Sequence, residues 1–112
     1  MSKILTPIQA FLAPLAKLAA KHPDLEAEVI WASGADWAAQ DDASEWLDAE
    51  EIAFYAEGLL MEGFQMQWQV FAETAAPAIP VHARLFFWQG QGPQPPQPED
   101  GLTIFATAAW NG

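Results

Sequence analysis

The chain has 112 residues, with 15 Asp and Glu against 4 Lys and Arg, and its formal net charge is −11. A surface this acidic repels nucleic acid and anionic bilayers, and the lack of cysteine excludes disulfides and cysteine chemistry. The hydrophobic fraction of 52%, with six Trp and seven Phe, excludes a disordered chain because it can bury enough apolar surface to offset conformational entropy.

These limits predict a single acidic domain over residues 1–112, since this length suits one core of ordinary size. No stretch approaches the roughly 20 uninterrupted apolar residues of a membrane span, so we expect no membrane contact. The absence of cysteine suits a reducing compartment, and we predict a cytoplasmic protein. We also predict no cofactor, no direct contact with nucleic acid, and a basic protein as partner.

The first predicted helix begins at Thr6, which can cap it, and Pro7 suits its first position. Gln9 can reach back and complete a capping box. Pro23 cannot continue a helix and therefore ends the element near His22. The apolar side chains recur at helical spacing on one face: Ile8, Phe11, Leu12, Leu15, Leu18 and Ala19.

Residues 25–31 alternate between apolar and polar side chains, which predicts a strand that ends at the turn Ser33-Gly34. A second helix that begins at Pro23-Asp24 is the alternative, but the run Val29-Ile30-Trp31 favours an extended chain. Residues 35–46, which include Asp36, Asp41, Asp42 and Glu45, show neither the helical nor the strand period of apolar residues clearly. For them we predict a loop with one helical turn.

The clearest local pattern predicts a second helix from about Ala49 to Glu62. Asp48 and Glu51 form a capping box at its start, and Gly63 suits the left-handed position after its end. The stripe expected to face the core consists of Ile52, Tyr55, Ala56, Leu59 and Leu60.

Two apolar residues of this helix, Phe54 and Met61, fall outside that stripe. They lie in line with Glu50 and Glu57, on the side where a solvated helix has no use for apolar groups. Either another element covers them, or they form a partner-binding stripe of apolar anchors surrounded by charge.

From Phe64 onward the apolar period changes to two, which predicts strands at 64–73, 81–89 and 102–110. We predict an α+β fold in the order α-β-α-β-β-β, with two helices on one face of an antiparallel sheet that ends in a three-strand meander. Residues 90–101, rich in Pro, Gly and Gln, predict a mobile loop. The apolar face of the sheet collects Met66, Trp68, Val70, Ala83, Leu85, Phe87, Ile104, Ala106 and Ala108.

The opposite face of this predicted sheet mixes amides, hydroxyls and aromatic rings with Arg84, the only arginine. Symmetric hairpins would form three rows across it: Gln69 with Arg84 and Thr107, Gln67 with Phe86 and Phe105, and Trp88 with Gln65 and Thr103. Arg84 would bind a carboxylate over the aromatic rings, in a candidate ligand site of Gln69, Arg84, Phe86, Trp88, Phe105 and Thr107. The alternatives are a dimer interface and a solvated face whose aromatics cover one another while Arg84 pairs with a carboxylate.

The sequence contains no nucleophile elbow, phosphate-binding glycine loop, dinucleotide fingerprint or zinc-protease motif. Asp41, Asp42, Glu45 and Asp48 match a cation site in number only, since they lack the alternating oxygen ligands and central Gly of a calcium loop. We therefore predict that the protein is not an enzyme and holds no metal.

The stretch from Asp24 to Glu62 holds twelve of the fifteen carboxylates and no Lys or Arg. It predicts a non-enzymatic binding protein that docks on a basic protein and inhibits it, as immunity proteins and nucleic-acid mimics do. The predicted partner-binding residues are Asp41, Asp42, Glu45, Glu50, Phe54, Glu57 and Met61. The alternatives are an acidic secretion or assembly chaperone, which would form a homodimer, and a small-ligand-binding domain around Arg84.

Overall fold

Two helices and a five-stranded mixed sheet make up the described part of the chain, which in this computed structural model comprises residues 5–33, 36–42, 49–90 and 97–110. The fold class is therefore α+β, and no helix within these ranges is long and apolar enough to cross a membrane. In chain order the elements are α1 (Leu5–Lys21), β1 (Glu26–Ser33), β2 (Asp36–Asp42), α2 (Ala49–Met61), β3 (Gln65–Glu73), β4 (Ala76–Trp88) and β5 (Leu102–Trp110).

The two helices begin and end close to the positions that their sequences predict. In α1 the His22 amide makes a last bond of 2.9 Å to the Leu18 carbonyl before Pro23 stops the helix. After α2, Gly63 adopts a φ of 104° and donates to the Leu60 carbonyl, while Phe64 donates to Leu59. This pair of bonds is a Schellman motif, which satisfies the last carbonyls of the helix.

The strand predicted near residues 25–31 is present as β1, so the alternative helix is wrong. The predicted loop over residues 35–46 is wrong for residues 36–42, which form β2 and pair antiparallel with β1; residues 35 and 43–46 lie outside the described ranges. The sequence Asp-Trp-Ala-Ala-Gln-Asp-Asp contains no β-branched residue, so its strand propensity is weak. Hydrogen bonding to the neighbouring β1 decides its conformation instead.

The C-terminal strands do not form the predicted meander. The sheet has the order β2-β1-β4-β3-β5, in which β5 pairs with β3 and not with β4. Both edges of β4 are already taken, because β3 pairs with it antiparallel and β1 pairs with it in parallel. The residues between Trp88 and Leu102 are numerous enough to carry the chain past β3 to its free edge.

The hydrophobic core gathers side chains from both helices and from alternate positions of four strands. Its buried members are Ile8, Leu12, Leu15, Leu25, Ala27, Val29, Ala56, Leu60, Met66, Trp68, Val70, Ala83, Leu85 and Phe87, with Ala106 and Ala108 packed against them. Ile104 was predicted to join this face but is 42% exposed. A one-residue register shift between β3 and β5 pairs Ile104 with Phe71, and Phe71 does not belong to the core cluster.

Phe87 has no exposed surface and stacks on Trp31 at a ring-centroid distance of 5.1 Å. We expect Phe87→Ala to lower the free energy of unfolding by about 3–5 kcal/mol, because the cavity cannot be filled by its packed neighbours. The matched control Phe105→Ala removes the same ring from a site that is 39% exposed, and should cost less than about 1 kcal/mol. Urea denaturation followed by tryptophan fluorescence measures both, and equal losses would contradict this placement of Phe87.

Candidate functional site

The side of the sheet that does not contribute to the core cluster, here called the second face, carries a row of polar residues across four strands. Backbone pairing aligns Glu28 of β1 with Arg84 of β4, Arg84 with Gln69 of β3, and Gln69 with Thr107 of β5. The predicted row of Gln69, Arg84 and Thr107 is therefore present. Its members share one face because residues that are paired directly across neighbouring strands project their side chains to the same side of the sheet.

The other two predicted rows are only half correct. Gln67 does pair with Phe86, and Gln65 pairs with Trp88. On the other side of β3, however, Gln67 meets Ala109, and Thr103 meets Ala72. Phe105 and Thr103 are displaced from the predicted rows because β5 pairs with β3 alone, with a register shift of one residue beside Phe105.

Arg84 lies at the centre of an ion-pair network that joins three segments of the chain. Its Nε donates to Glu28 Oε1 at 2.9 Å, and its Nη2 donates to Glu99 Oε1 at 2.6 Å. His82 Nε2 lies 3.1 Å from the same Glu28 oxygen. The guanidinium is thus shared between a carboxylate on β1 and one in the segment that leads into β5. Sequence reasoning missed both partners, since alternation alone marks Glu28 only as a polar position on a strand.

The two ion pairs of Arg84 differ in their exposure to solvent. The Arg84 and Glu28 side chains are 14% and 20% exposed, whereas the Glu99 side chain is 67% exposed. Water screens the outer pair, and the inner pair is partly shielded from it. The inner bond is therefore the one that stabilises the pairing of β1 with β4.

Aromatic rings lie beneath and beside the polar row. The Arg84 guanidinium carbon lies 5.5 Å from the centroid of Phe71, close enough for a cation–π interaction. The Trp37 ring contacts Phe86 at 5.0 Å and Trp88 at 5.9 Å. Phe71 and Phe86 are completely buried. The aromatics on this face thus cover one another, as in the solvated-face alternative.

Gln69 is 5% exposed, and its Oε1 has no hydrogen-bond partner among the residues that the structure describes. The neighbouring Thr107 hydroxyl donates instead to the Trp68 carbonyl at 2.9 Å. Since Gln69 and Phe86 are both buried, neither offers accessible surface to a small molecule in this structure. Of the six predicted ligand residues, Arg84 is the charged one, and its side chain is partly exposed to solvent.

Six of the seven predicted partner-binding residues lie on β2 and α2, and most of their side chains fall outside the described part of the structure. Asp41 and Asp42 pair through their backbones with Val29 and Glu28 of β1. Glu50 and Phe54 belong to α2, and Glu45 lies outside the described residues.

Two members of this predicted set, Glu57 and Met61, have described side chains. Met61 is 51% exposed, although it is apolar. Glu57 is partly buried, and its Oε1 has no hydrogen-bond partner within the described ranges. These residues are four apart on α2, so they are neighbours on its surface.

Charge is distributed unevenly among the elements of the fold. The elements β1, β2 and α2, together called the acidic side below, all lie within the stretch that carries twelve of the fifteen carboxylates. Helix α1 carries Lys17 and Lys21 and no acidic residue, and β5 carries no charge. Ring contacts from Phe11 to Trp68 and Trp110 place α1 over β3 and β5, away from β2.

The described ranges contain no group of three or more His, Asp or Glu side chains arranged to hold a metal ion. No family model, curated protein or solved structure matches the chain. Function must therefore be inferred from the site itself, by its charge, exposure and contacts.

We expect Arg84 to be coupled more strongly to Glu28 than to Glu99. Double-mutant cycles with Arg84→Gln, Glu28→Gln and Glu99→Gln should give a coupling energy of about 1–3 kcal/mol for the inner pair. The outer pair, which is more exposed, should give less than about 1 kcal/mol. Free energies of unfolding in urea supply each cycle, and a stronger coupling to Glu99 would contradict the assignment.

Proposed function

We propose that this chain is a non-enzymatic binding protein that docks on a basic protein and inhibits it by covering its functional surface. The observation that carries the proposal is the segregation of charge. Carboxylates are concentrated on β1, β2 and α2, while the only arginine is bonded to two carboxylates on the second face. Its positive charge is used within the fold and leaves the outward charge of the acidic side uncompensated.

The exposed carboxylates of the described ranges support a surface of this kind. Asp24, Glu26, Asp36 and Glu62 are all exposed, and none belongs to an ion pair among the described residues. Such a field attracts a basic protein and raises its rate of association, an effect that salt weakens. It equally repels nucleic acid, so the partner is a protein that itself binds an anion, such as a nucleic-acid-binding enzyme.

Electrostatic attraction alone gives speed and orientation, and affinity needs buried anchors. Met61 supplies one, because it is 51% exposed on the last turn of α2 between Glu57 and Glu62. An apolar side chain flanked by carboxylates complements a basic surface that contains an apolar pocket. Phe54, one heptad earlier on the same helix, remains a predicted second anchor.

The small-ligand hypothesis is less favoured by the same contacts. A ligand carboxylate would have to compete with Glu28 and Glu99 for Arg84, and Phe86 has no exposed surface on which a ligand could stack. The chaperone hypothesis shares the acidic surface and is distinguished by its clients, which would be unfolded or unassembled chains. We place the inhibitory interaction in the cytoplasm, since the chain has no cysteine to protect from oxidation or to pair.

A partner captured from its native cells by the tagged chain, identified by mass spectrometry and then purified, provides the test. We expect a basic protein whose dissociation constant rises steeply between low and physiological salt. Glu57→Gln with Glu62→Gln should raise that constant by about tenfold, because two attractive charges are lost at the interface. The matched control, Glu73→Gln with Asp100→Asn, removes two exposed charges elsewhere and should change it less than about twofold.

Met61→Ser tests the contribution of the apolar anchor to affinity separately from that of electrostatic attraction. It should raise the dissociation constant by about tenfold or more, mainly through faster dissociation, because burial of the side chain does not depend on salt. The control Ile79→Ser removes another exposed apolar side chain, which is 57% exposed on β4. Calorimetric titration at two salt concentrations measures both variants. A captured partner that is acidic, or whose binding ignores salt and all these variants, would refute the proposed function.

A further inference from the structure

Strand β5 forms one edge of the sheet, because β3 is its only neighbour among the described strands. Its sequence, Leu-Thr-Ile-Phe-Ala-Thr-Ala-Ala-Trp, has no charged residue, no proline and no glycine. An edge of this kind presents unpaired backbone N–H and C=O groups to any strand that approaches. Proteins normally protect such an edge with charge, with proline or with a cover.

The other free edges of the sheet carry these protections. Strand β2, at the opposite edge, contains Asp36, Asp41 and Asp42. The first part of β4 extends beyond its pairing with β1 and there contains Pro77 and Pro80, which cannot donate to a further strand. In the described part of the chain, β5 is thus the edge that lacks both devices.

The surface beside this edge is apolar as well. Ile104 and Phe105 are 42% and 39% exposed, and both lie on β5. The register shift near Phe105 interrupts the pairing with β3, but Ala106–Trp110 pair continuously with Met66–Val70. A regular stretch therefore remains for a further strand, with two apolar side chains next to it.

The distribution of charge favours a second copy of this chain as the occupant of the β5 edge. A basic partner would be drawn to the acidic side, whereas β5 can pair with its own copy in any register without bringing like charges together. Pairing of β2 with β2 would instead place aspartates opposite one another. Four strand spacings of about 4.8 Å put β2 roughly 19 Å from β5, beyond the Debye length of about 8 Å at physiological salt.

We propose that two copies of the chain associate through antiparallel pairing of their β5 strands across a two-fold axis, which joins the two sheets into one. Such isologous pairing closes after two copies, because each β5 edge is used once. The two β2 edges then lie at the outer ends of the dimer and remain free. This inference goes beyond the proposed function and does not depend on it.

Sedimentation velocity of the intact chain, from low to high micromolar concentration, tests the dimer. At about 0.15 M salt we expect a species of twice the chain mass of 12.3 kDa. At about 0.01 M salt the Debye length is about 30 Å, so repulsion between the copies is no longer screened and the dissociation constant should rise severalfold. A single-chain mass at every concentration and both salts overturns the proposal.

A matched pair of double variants locates the interface. Ile104→Lys with Ala109→Lys adds two charges to β5, and should raise the dimer dissociation constant by about tenfold or more. Ala78→Lys with Ile79→Lys makes the same two exchanges at exposed positions of β4, and should leave it within about twofold of the unsubstituted chain. Circular dichroism verifies that all the variants fold. Equal effects of the two pairs, or an effect of the β4 pair alone, would refute the β5 interface.

Salt also separates this inference from the proposed function. The dimer should strengthen as salt rises, whereas binding of a basic partner should weaken. The β5 double variant should still bind the partner, and Glu57→Gln with Glu62→Gln should still dimerise. Hydrogen exchange provides a second measurement, since amides of 102–110 should be better protected at high protein concentration than at low concentration. Unchanged protection across the dimerisation range would place the interface elsewhere and overturn the proposal.

Discussion

The parallel pairing of β1 with β4 is the interaction on which the rest of this structure depends. It is the only link within the described sheet between the acidic pair β1–β2 and the three strands β3, β4 and β5. The bond from Arg84 to Glu28 crosses this link, and the core side chains Val29 and Leu85 are paired across it. Six successive residue pairs thus hold a strongly charged segment against a nearly neutral one.

That link also determines how charge is presented. Because β1 occupies the second edge of β4, the acidic hairpin extends the sheet in one direction and β5 extends it in the other. Each edge then has a different chemistry, with carboxylates at β2 and uncharged apolar residues at β5. The proposed binding of a basic partner and the proposed association of two copies would therefore use different edges of the sheet, and salt should act on the two in opposite senses.

The sequence predicted those elements well whose conformation is set by residues close to them in the chain. The end of α2 follows from Gly63, and the bounds of β5 follow from the approximate period of two in its apolar residues between Leu102 and Trp110. Residues 36–42 were missed because their strand conformation comes from pairing with β1 and not from their own propensity. Glu28 was missed as a partner of Arg84 because the two are brought together by the parallel pairing of strands that are distant in sequence.

The sequence by itself determined the α+β class, the positions of both helices, most of the apolar positions that form the core and the concentration of acid between Asp24 and Glu62. These follow from periodicity, capping and composition, which act over a few residues. Only the tertiary structure decided the strand order, the partners of Arg84 and the edge on which β5 lies. Those depend on which hydrogen-bonding edge each strand finds free, and that is a property of the assembled sheet rather than of any segment.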